Sequence, residues 1–305
     1  MTAERTSAQD WLPDGAPEIA PPGTAAPVVE DDRVTVVVMS KNRREDLLAS
    51  LPRHRAPVVY VDNGSTDGSP ATVADVRPDA DVVELPRNVG SLARTVGIER
   101  ATTPYVAFAD DDSWWAPGAL RRAADVLAAD PSVAVVVARV LVGPEEREDP
   151  IVPALRHSPL DATGLPGPRV LGFMACAAVV RRDAVLDVGG FDTAVRFPGE
   201  EEPLALRLAA KDRAIVYRDD VVVHHHPSPS RHAPADRAAA VARSAVATAL
   251  LLRPWPVVRA RTAQAWRTGR LGALPTARQA WSALRRRERL PAPVERDLAL
   301  LALDG

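Results

Sequence analysis

From Arg33 onward the chain carries a succession of short apolar runs that end in acidic or amide side chains, and this pattern restricts the fold more than any other feature. Val34-Thr35-Val36-Val37-Val38-Met39 is β-branched and almost continuously apolar. A strand buried on both faces reads this way. Val58 to Val61 is a second such run, closed by Asp62-Asn63-Gly64-Ser65; Asp81 to Glu84 is a weaker third. Tyr105 to Ala109 is a fourth, followed directly by Asp110-Asp111-Asp112. Between them, Arg44 to Leu51 and Ser91 to Ala101 have helical spacing. Strand and helix alternating at about 25 residues predict an α/β fold, a mostly parallel sheet flanked by helices. Ligands of such sheets bind beyond the carboxyl ends of the strands, where Asp62 and the aspartate triplet both fall.

Downstream, Pro117 to Ala129 predicts a helix, Val133 to Val140 a buried strand, 143–170 a long loop, and Val170 to Arg181 a strand. Glu200 to Ala210 predicts a helix, and Ala214 to His224 closes the domain with strands. Beyond Pro227 the chain reads as helical and Arg-rich, over Ala233 to Leu252, Val257 to Trp266, Pro275 to Arg287 and Val294 to Leu303. The expected organisation is a disordered, Pro-rich tail over 1–32, an α/β domain over 33–231 and a helical extension over 232–305.

Composition excludes several classes. The single cysteine, Cys176, rules out an internal disulfide framework and a Cys-based zinc site, and fits a reducing cytosol. The first residues lack the basic and apolar regions of a secretory signal, and no apolar run reaches the length of a membrane span. A cytoplasmic protein is expected. From Arg231 to Leu290, 13 arginines face only Asp236 and Glu288, leaving that stretch near +11. Such helices either pack on the domain with their arginines solvated or meet an anionic membrane surface through Trp255, Trp266 and Trp281. Peripheral attachment at the inner face of the cell membrane is then expected. No recognition motif supports nucleic-acid binding.

Three constellations carry chemistry. Adjacent carboxylates at a strand end repel one another, so Asp110 and Asp112, which share a side, suit a hard divalent cation that also takes phosphate oxygens. Asp62-Asn63-Gly64-Ser65-Thr66-Asp67 is either a turn or a nucleotide-base pocket. Arg87-Asn88-Val89-Gly90 with Arg94 is either a helix start or a diphosphate neutraliser.

In order and spacing, Val36-Val37-Val38…Ser40-Lys41-Asn42-Arg43, Asp62 to Ser69, Arg87 to Gly90, Ala109 to Asp112, Gly189-Gly190-Phe191-Asp192 and Gly199 to Leu208 resemble glycosyltransferase family 2. The resemblance covers roughly Arg33 to Arg231 and implies the GT-A fold, a Rossmann-like sheet. It implies an inverting transfer from a nucleotide-diphospho-sugar, UDP- or dTDP-linked, to an acceptor hydroxyl. Bacterial rhamnosyltransferase-like members add dTDP-rhamnose as a candidate. A carbohydrate, lipid-linked or small-molecule acceptor, in cell-envelope or natural-product glycosylation, is expected.

By the same resemblance Asp110 and Asp112 hold Mg²⁺ or Mn²⁺, with His224 completing the shell. Asp111 faces the ribose or the donor sugar, Asp62 and Asn63 read the base, and Arg94 and Arg231 neutralise phosphate. Ser40, Asn42, Arg43, Asn88 and Gly90 belong to the donor pocket. The family's usual acceptor-side base is an Asp; Glu201 stands in its place, with Glu202 and Glu200 as rivals. A nucleotidyltransferase is the alternative, but it calls for a Gly-rich loop after the first strand, and Ser40 to Arg43 has no glycine. A non-catalytic nucleotide-sugar-binding member of the fold is the other alternative.

Overall fold

The computed structural model describes residues 29–227, 234–269 and 272–303. The expected tail over 1–32 lies almost wholly outside the described residues, as does Arg231. In chain order the elements open with β1 (Val34–Ser40), α1 (Arg44–Ser50), β2 (Val58–Asp62), α2 (Ser69–Val76), β3 (Asp81–Glu84), α3 (Leu92–Arg100) and β4 (Tyr105–Ala109). There follow β5 (Ser113–Trp115), α4 (Ala119–Ala129), β6 (Val133–Val142), β7 (Arg147–Glu148), α5 (Val152–Arg156), β8 (Ala178–Arg181), α6 (Arg182–Asp187), α7 (Glu201–Ala209) and β9 (Ala214–His225). Helices α8 (Pro234–Leu252), α9 (Trp255–Arg267), α10 (Ala277–Arg285) and α11 (Ala292–Leu301) complete the chain.

One sheet runs in the order β3-β2-β1-β4-β8-β6-β9-β5, with β7 on β6. The first half is parallel, as the apolar runs predict. Register aligns the carboxyl ends: Ser40 lies beside Asp62, and Val38 beside Ala109 just ahead of the triplet. Three strand tips therefore open onto one crevice. The second half is mixed, because β8 runs antiparallel to both β4 and β6 and β5 antiparallel to β9.

The run Val170 to Arg181, expected as a strand, is strand only over Ala178–Arg181. Ahead of it, Ala175–Ala177 is a single buried 3-10 turn. Burial alone made that stretch apolar, and burial does not distinguish a turn from a strand. The expected loop over 143–170 contains β7 and α5.

The core is Val, Leu and Ala, and its largest fully buried side chains include Tyr60, Phe108, Phe191 and Tyr217. Close approach of α3 to the sheet depends on Gly97, where a Cβ would stand 2.3 Å from Val37 Cγ1. That contact seats α3, and with it Arg94, directly above β1.

The helical extension packs on the domain. Leu251, Leu252, Ala283 and Val294 share a buried cluster with Ala194 and Leu206. Arg286, at the C-cap of α10, meets the buried Asp192 side chain, which Arg207 also grips at 2.9 Å. Arg169 reaches Asp297 of α11 at 2.8 Å. Among the described residues no helix is long and apolar enough to cross a membrane.

Candidate active site

Arg94 connects the two acidic motifs. It projects from α3, is 2% exposed, and sends Nη2 to Asp110 Oδ1 at 2.7 Å and Nη1 to Glu200 Oε1 at 2.8 Å. Burial alone pulls its pKa down, but the Asp110 and Glu200 carboxylates outweigh that and the net shift is upward. Both terminal nitrogens of the guanidinium, expected to neutralise a donor diphosphate, are held by protein carboxylates, and Nε is buried without a hydrogen-bond partner among the described residues. It sits between the aspartate triplet, 16 residues on in the chain, and the glutamate run, 106 residues on.

The triplet follows β4. Asp110 N donates to Ser113 Oγ at 2.9 Å, and this holds the turn into β5. Asp111 Oδ2 lies 3.4 Å from Arg43 Nε. Burial, then the charges of Asp112 and Asp110, push the Asp111 carboxyl up to about 8 against the pull of Arg43. Three carboxylates so crowded keep Asp111 raised even with Arg43 beside it and Arg94 on Asp110, a condition that a hard cation relieves. Among the described residues no group of three His, Cys, Asp or Glu is already gathered for a metal ion. The donor set fits a partial shell that phosphate oxygens would complete.

The three histidines divide by strand alternation. Trp114 pairs with His224 in the β5–β9 register; its ring stacks on His224 at 5.5 Å and meets the His226 ring at a tilt, 4.6 Å away. His225 faces the other way, with Nε2 3.5 Å from Asp112 Oδ1. His224, expected to complete a metal shell, therefore lies on the Trp114 face, and His225 is the histidine beside Asp112. His224 Nδ1 instead lies 3.1 Å from Glu146 Oε1.

The expected base readers serve to build the pocket. Asp62 is 2% exposed, with Oδ2 accepting from Ser65 N at 2.8 Å and Oδ1 from the Tyr60 hydroxyl at 3.2 Å. Asn63 is 3% exposed and spends both ends of its amide on the next motif. Its Oδ1 accepts from Val89 N at 2.8 Å and its Nδ2 donates to Gly90 O at 3.0 Å. Asn88 Oδ1 caps Gly90 N at 2.8 Å.

Between these motifs Gly64, at φ +77°, lies so close to the Arg87 backbone that a Cβ would meet it at 2.8 Å. Ser40 is buried and shares a 3.0 Å hydrogen bond with the Tyr60 hydroxyl. Asn42, at φ 54°, accepts from Thr66 N at 2.8 Å. The motifs around Ser40 to Arg43, Asp62 to Asp67 and Arg87 to Gly90 are thus sewn together into one wall.

The three glutamates separate by partner. Glu200 is fully buried on Arg94. Glu202 forms a two-pronged pair with Arg261 of α9, at 2.9 Å and 3.3 Å. Among the described residues Glu201 pairs with no cation; its Oε1 accepts from Ala175 N at 3.2 Å, in the 3-10 turn. Burial and then the Glu200 carboxylate push it up to about 7, against Arg94. The Cys176 thiol in the same turn is buried, which raises its pKa well above normal. Sequence reasoning missed His225, the Ala175 amide and Arg261. Each is brought in by a strand register or a distant helix, and no local signal marks it.

Residues 35–189 match the family model described as Glycosyl transferase family 2. The "Pre-mycofactocin glycosyltransferase" of Mycobacterium tuberculosis is 33% identical over 204 residues, which are 63% of this chain and 42% of that protein. The chain thus spans less than half the length of that relative. A solved structure described as "Mannosyltransferase PcManGT from Pyrobaculum calidifontis in complex with GDP-Man and Mn2+" superposes with TM-score 0.56 at 24% identity, over 97% of this chain and 92% of the other. TarS of S. aureus superposes with TM-score 0.52 at 19% identity, over 72% and 40%. Those two likenesses establish the GT-A fold, and the matched motifs are the ones that line the crevice. The chain belongs to glycosyltransferase family 2.

Proposed function

We propose that this enzyme transfers a sugar with inversion from a nucleotide-diphospho-sugar, UDP- or dTDP-linked, to an acceptor hydroxyl, in a reaction dependent on a divalent cation. The observation that carries this reading is the Arg94 bridge. It sets the triplet and the start of α7 on either side of one guanidinium, as a single displacement between a held donor and a deprotonated acceptor requires.

In this reading Asp110 and Asp112, with His225 behind Asp112, hold Mg²⁺ or Mn²⁺. When bound, the ion stabilises the negative charge that grows on the departing diphosphate. Asp111 turns to the donor ribose or sugar, and the wall from Ser40 to Gly90 encloses the nucleotide. Glu201 takes the proton from the acceptor hydroxyl. A carboxyl pushed up to about 7 suits a base working near neutrality, since it is both ionised and basic enough there. Glu200 and Glu202 are committed to arginines, and this favours Glu201 over them.

Asp112→Asn tests the donor half. Calorimetry with UDP- and dTDP-sugars should show Mn²⁺-dependent binding for the unaltered protein and at least a tenfold loss in the variant. Unchanged affinity, or binding indifferent to the metal, removes the cation from the reading.

The acceptor half extends to a membrane partner. Along α9, Trp255, Thr262, Ala263 and Trp266 line a shallow cleft of about 690 Å³ with Arg259 and Arg267, floored by the buried Val258. Trp266 is 75% exposed. Aromatic and basic side chains on one helix face suit an anionic headgroup layer, each Arg adding about 1 kcal/mol. We infer a lipid-linked acceptor, supported by that combination of aromatic and basic side chains. In flotation, vesicles with anionic lipid should retain the protein severalfold better than neutral ones. Trp266→Ser should abolish the difference. Equal retention on both vesicle types rejects this partner.

A further inference from the structure

Helix α7 begins without a side-chain cap of its own: Glu200 occupies the N-cap position and its carboxylate bonds elsewhere. The first turn of a helix has no earlier carbonyls to bond its amides, so it frays unless side chains secure it. Here the securing contacts come from both neighbours of Glu201. On one side Arg94 of α3 holds Glu200. On the other, Arg261 of α9 forks onto Glu202 and also donates from Nη1 to the Ala245 carbonyl of α8 at 3.1 Å. Successive side chains diverge by about 100° around a helix, and the three glutamates use that divergence to reach three separate partners.

We propose that Arg261, contributed by the C-terminal extension, is a positioning residue for the Glu201 carboxylate. Its fork on Glu202 opposes the Arg94 grip on Glu200 and fixes the angle of the turn that carries Glu201. It also cancels the Glu202 charge one residue from the base. The groups that act on Glu201 are Glu200 at the N-cap, Arg94 from α3 and the Cys176 thiol in the 3-10 turn, and Glu202 follows it in the chain. The Arg261 guanidinium stands behind Glu202. The extension is in this sense part of the catalytic apparatus, reaching it through a carboxylate that does not itself react. The inference rests on Glu201 as the base.

The test is a set of full-length variants read by donor affinity, acceptor kinetics and the pH profile of kcat. Arg261→Ala should lower kcat about 10–100-fold, the range a misplacement near 1 Å produces. Donor Kd should stay within twofold, and acceptor KM within about threefold. Its kcat–pH midpoint should move alkaline, because Glu202 is left uncompensated beside the base. Glu202→Gln should match that kcat loss without the alkaline shift. The double variant should be no slower than either single one, with the midpoint of the unaltered enzyme. Arg261→Lys, which keeps the charge and one contact, should recover most of the rate.

Arg261→Ala turnover within twofold of the unaltered enzyme overturns the proposal. So do losses that multiply in the double variant, or rates that track melting temperature one for one. If Glu201→Gln turns over normally, the base assignment has failed. If it is dead while Arg261→Ala is normal, only the positioning role has failed.

Discussion

Glu201→Gln is expected to bind donor and metal normally while transferring sugar about 10²–10⁴-fold more slowly, the range a general base contributes. Gln retains the oxygen that accepts from Ala175 N, so the geometry of the 3-10 turn is preserved while the basicity is lost. Single-turnover rates with saturating donor and acceptor measure this directly. In the unaltered enzyme the rate should rise with pH through about 7, as the Glu201 carboxyl ionises.

The same substitution has a stability signature of opposite sign. The folded carboxyl is raised from 4.5 to about 7, so the stability that its protonated form supports is complete below 4.5 and is lost as pH rises through about 7. A neutral Gln escapes that loss. The variant should therefore be more stable than the parent at pH 8, by on the order of 1–3 kcal/mol, with the gap closing by pH 5. Thermal unfolding at the two pH values checks it. An inactive variant with no pH-dependent gain would mean that Glu201 is not strained by burial, and a fully active one would move the base elsewhere.

Arg94→Ala should be the most damaging single change. It strands Glu200, fully buried, without its cation and removes the arginine that holds Asp110. Breaking a buried ion pair from one side costs about 3–5 kcal/mol, because the remaining charge stays unsolvated. Urea unfolding should show that loss, and Mn²⁺-dependent donor binding should fall with it. Adding Glu200→Gln should restore part of the stability by removing the stranded charge, without restoring donor binding. Arg94→Lys should fall between, since a single ammonium cannot span both carboxylates as a planar fork does. Unfolding within 1 kcal/mol of the parent would show that the bridge is ornamental.

Much of this could be seen in the chain itself. The runs Val34 to Met39, Val58 to Val61 and Tyr105 to Ala109 became strands because continuous β-branched apolar residues suit a buried parallel sheet, and their acidic tips fell at one edge by topology. The Glu200 to Ala210 helix followed from the same kind of pattern. What stayed hidden depends on contacts between distant segments. His225 rather than His224 faces Asp112 because of pairing with a three-residue strand too short to read from sequence. The three glutamates look alike in the sequence. They differ through Arg94, Ala175 and Arg261, which lie 106, 26 and 59 residues from the glutamates they meet. Asn63 has the residue type of a ligand reader, yet both ends of its amide are taken by the Val89–Gly90 backbone.

The Arg94 bridge also bears on how such an enzyme could be recombined. Positions 94, 110 and 200 share two ion pairs across three separate elements, so none of the three can be replaced freely while the others stand. A chimera that imports only the loop after β4 from a relative, in search of a new donor, would set a foreign side chain against Arg94 and leave the Arg94–Glu200 pair without its aspartate. Exchanges that carry α3, the triplet and the start of α7 as one cassette avoid that mismatch, and the natural crossover points lie outside all three.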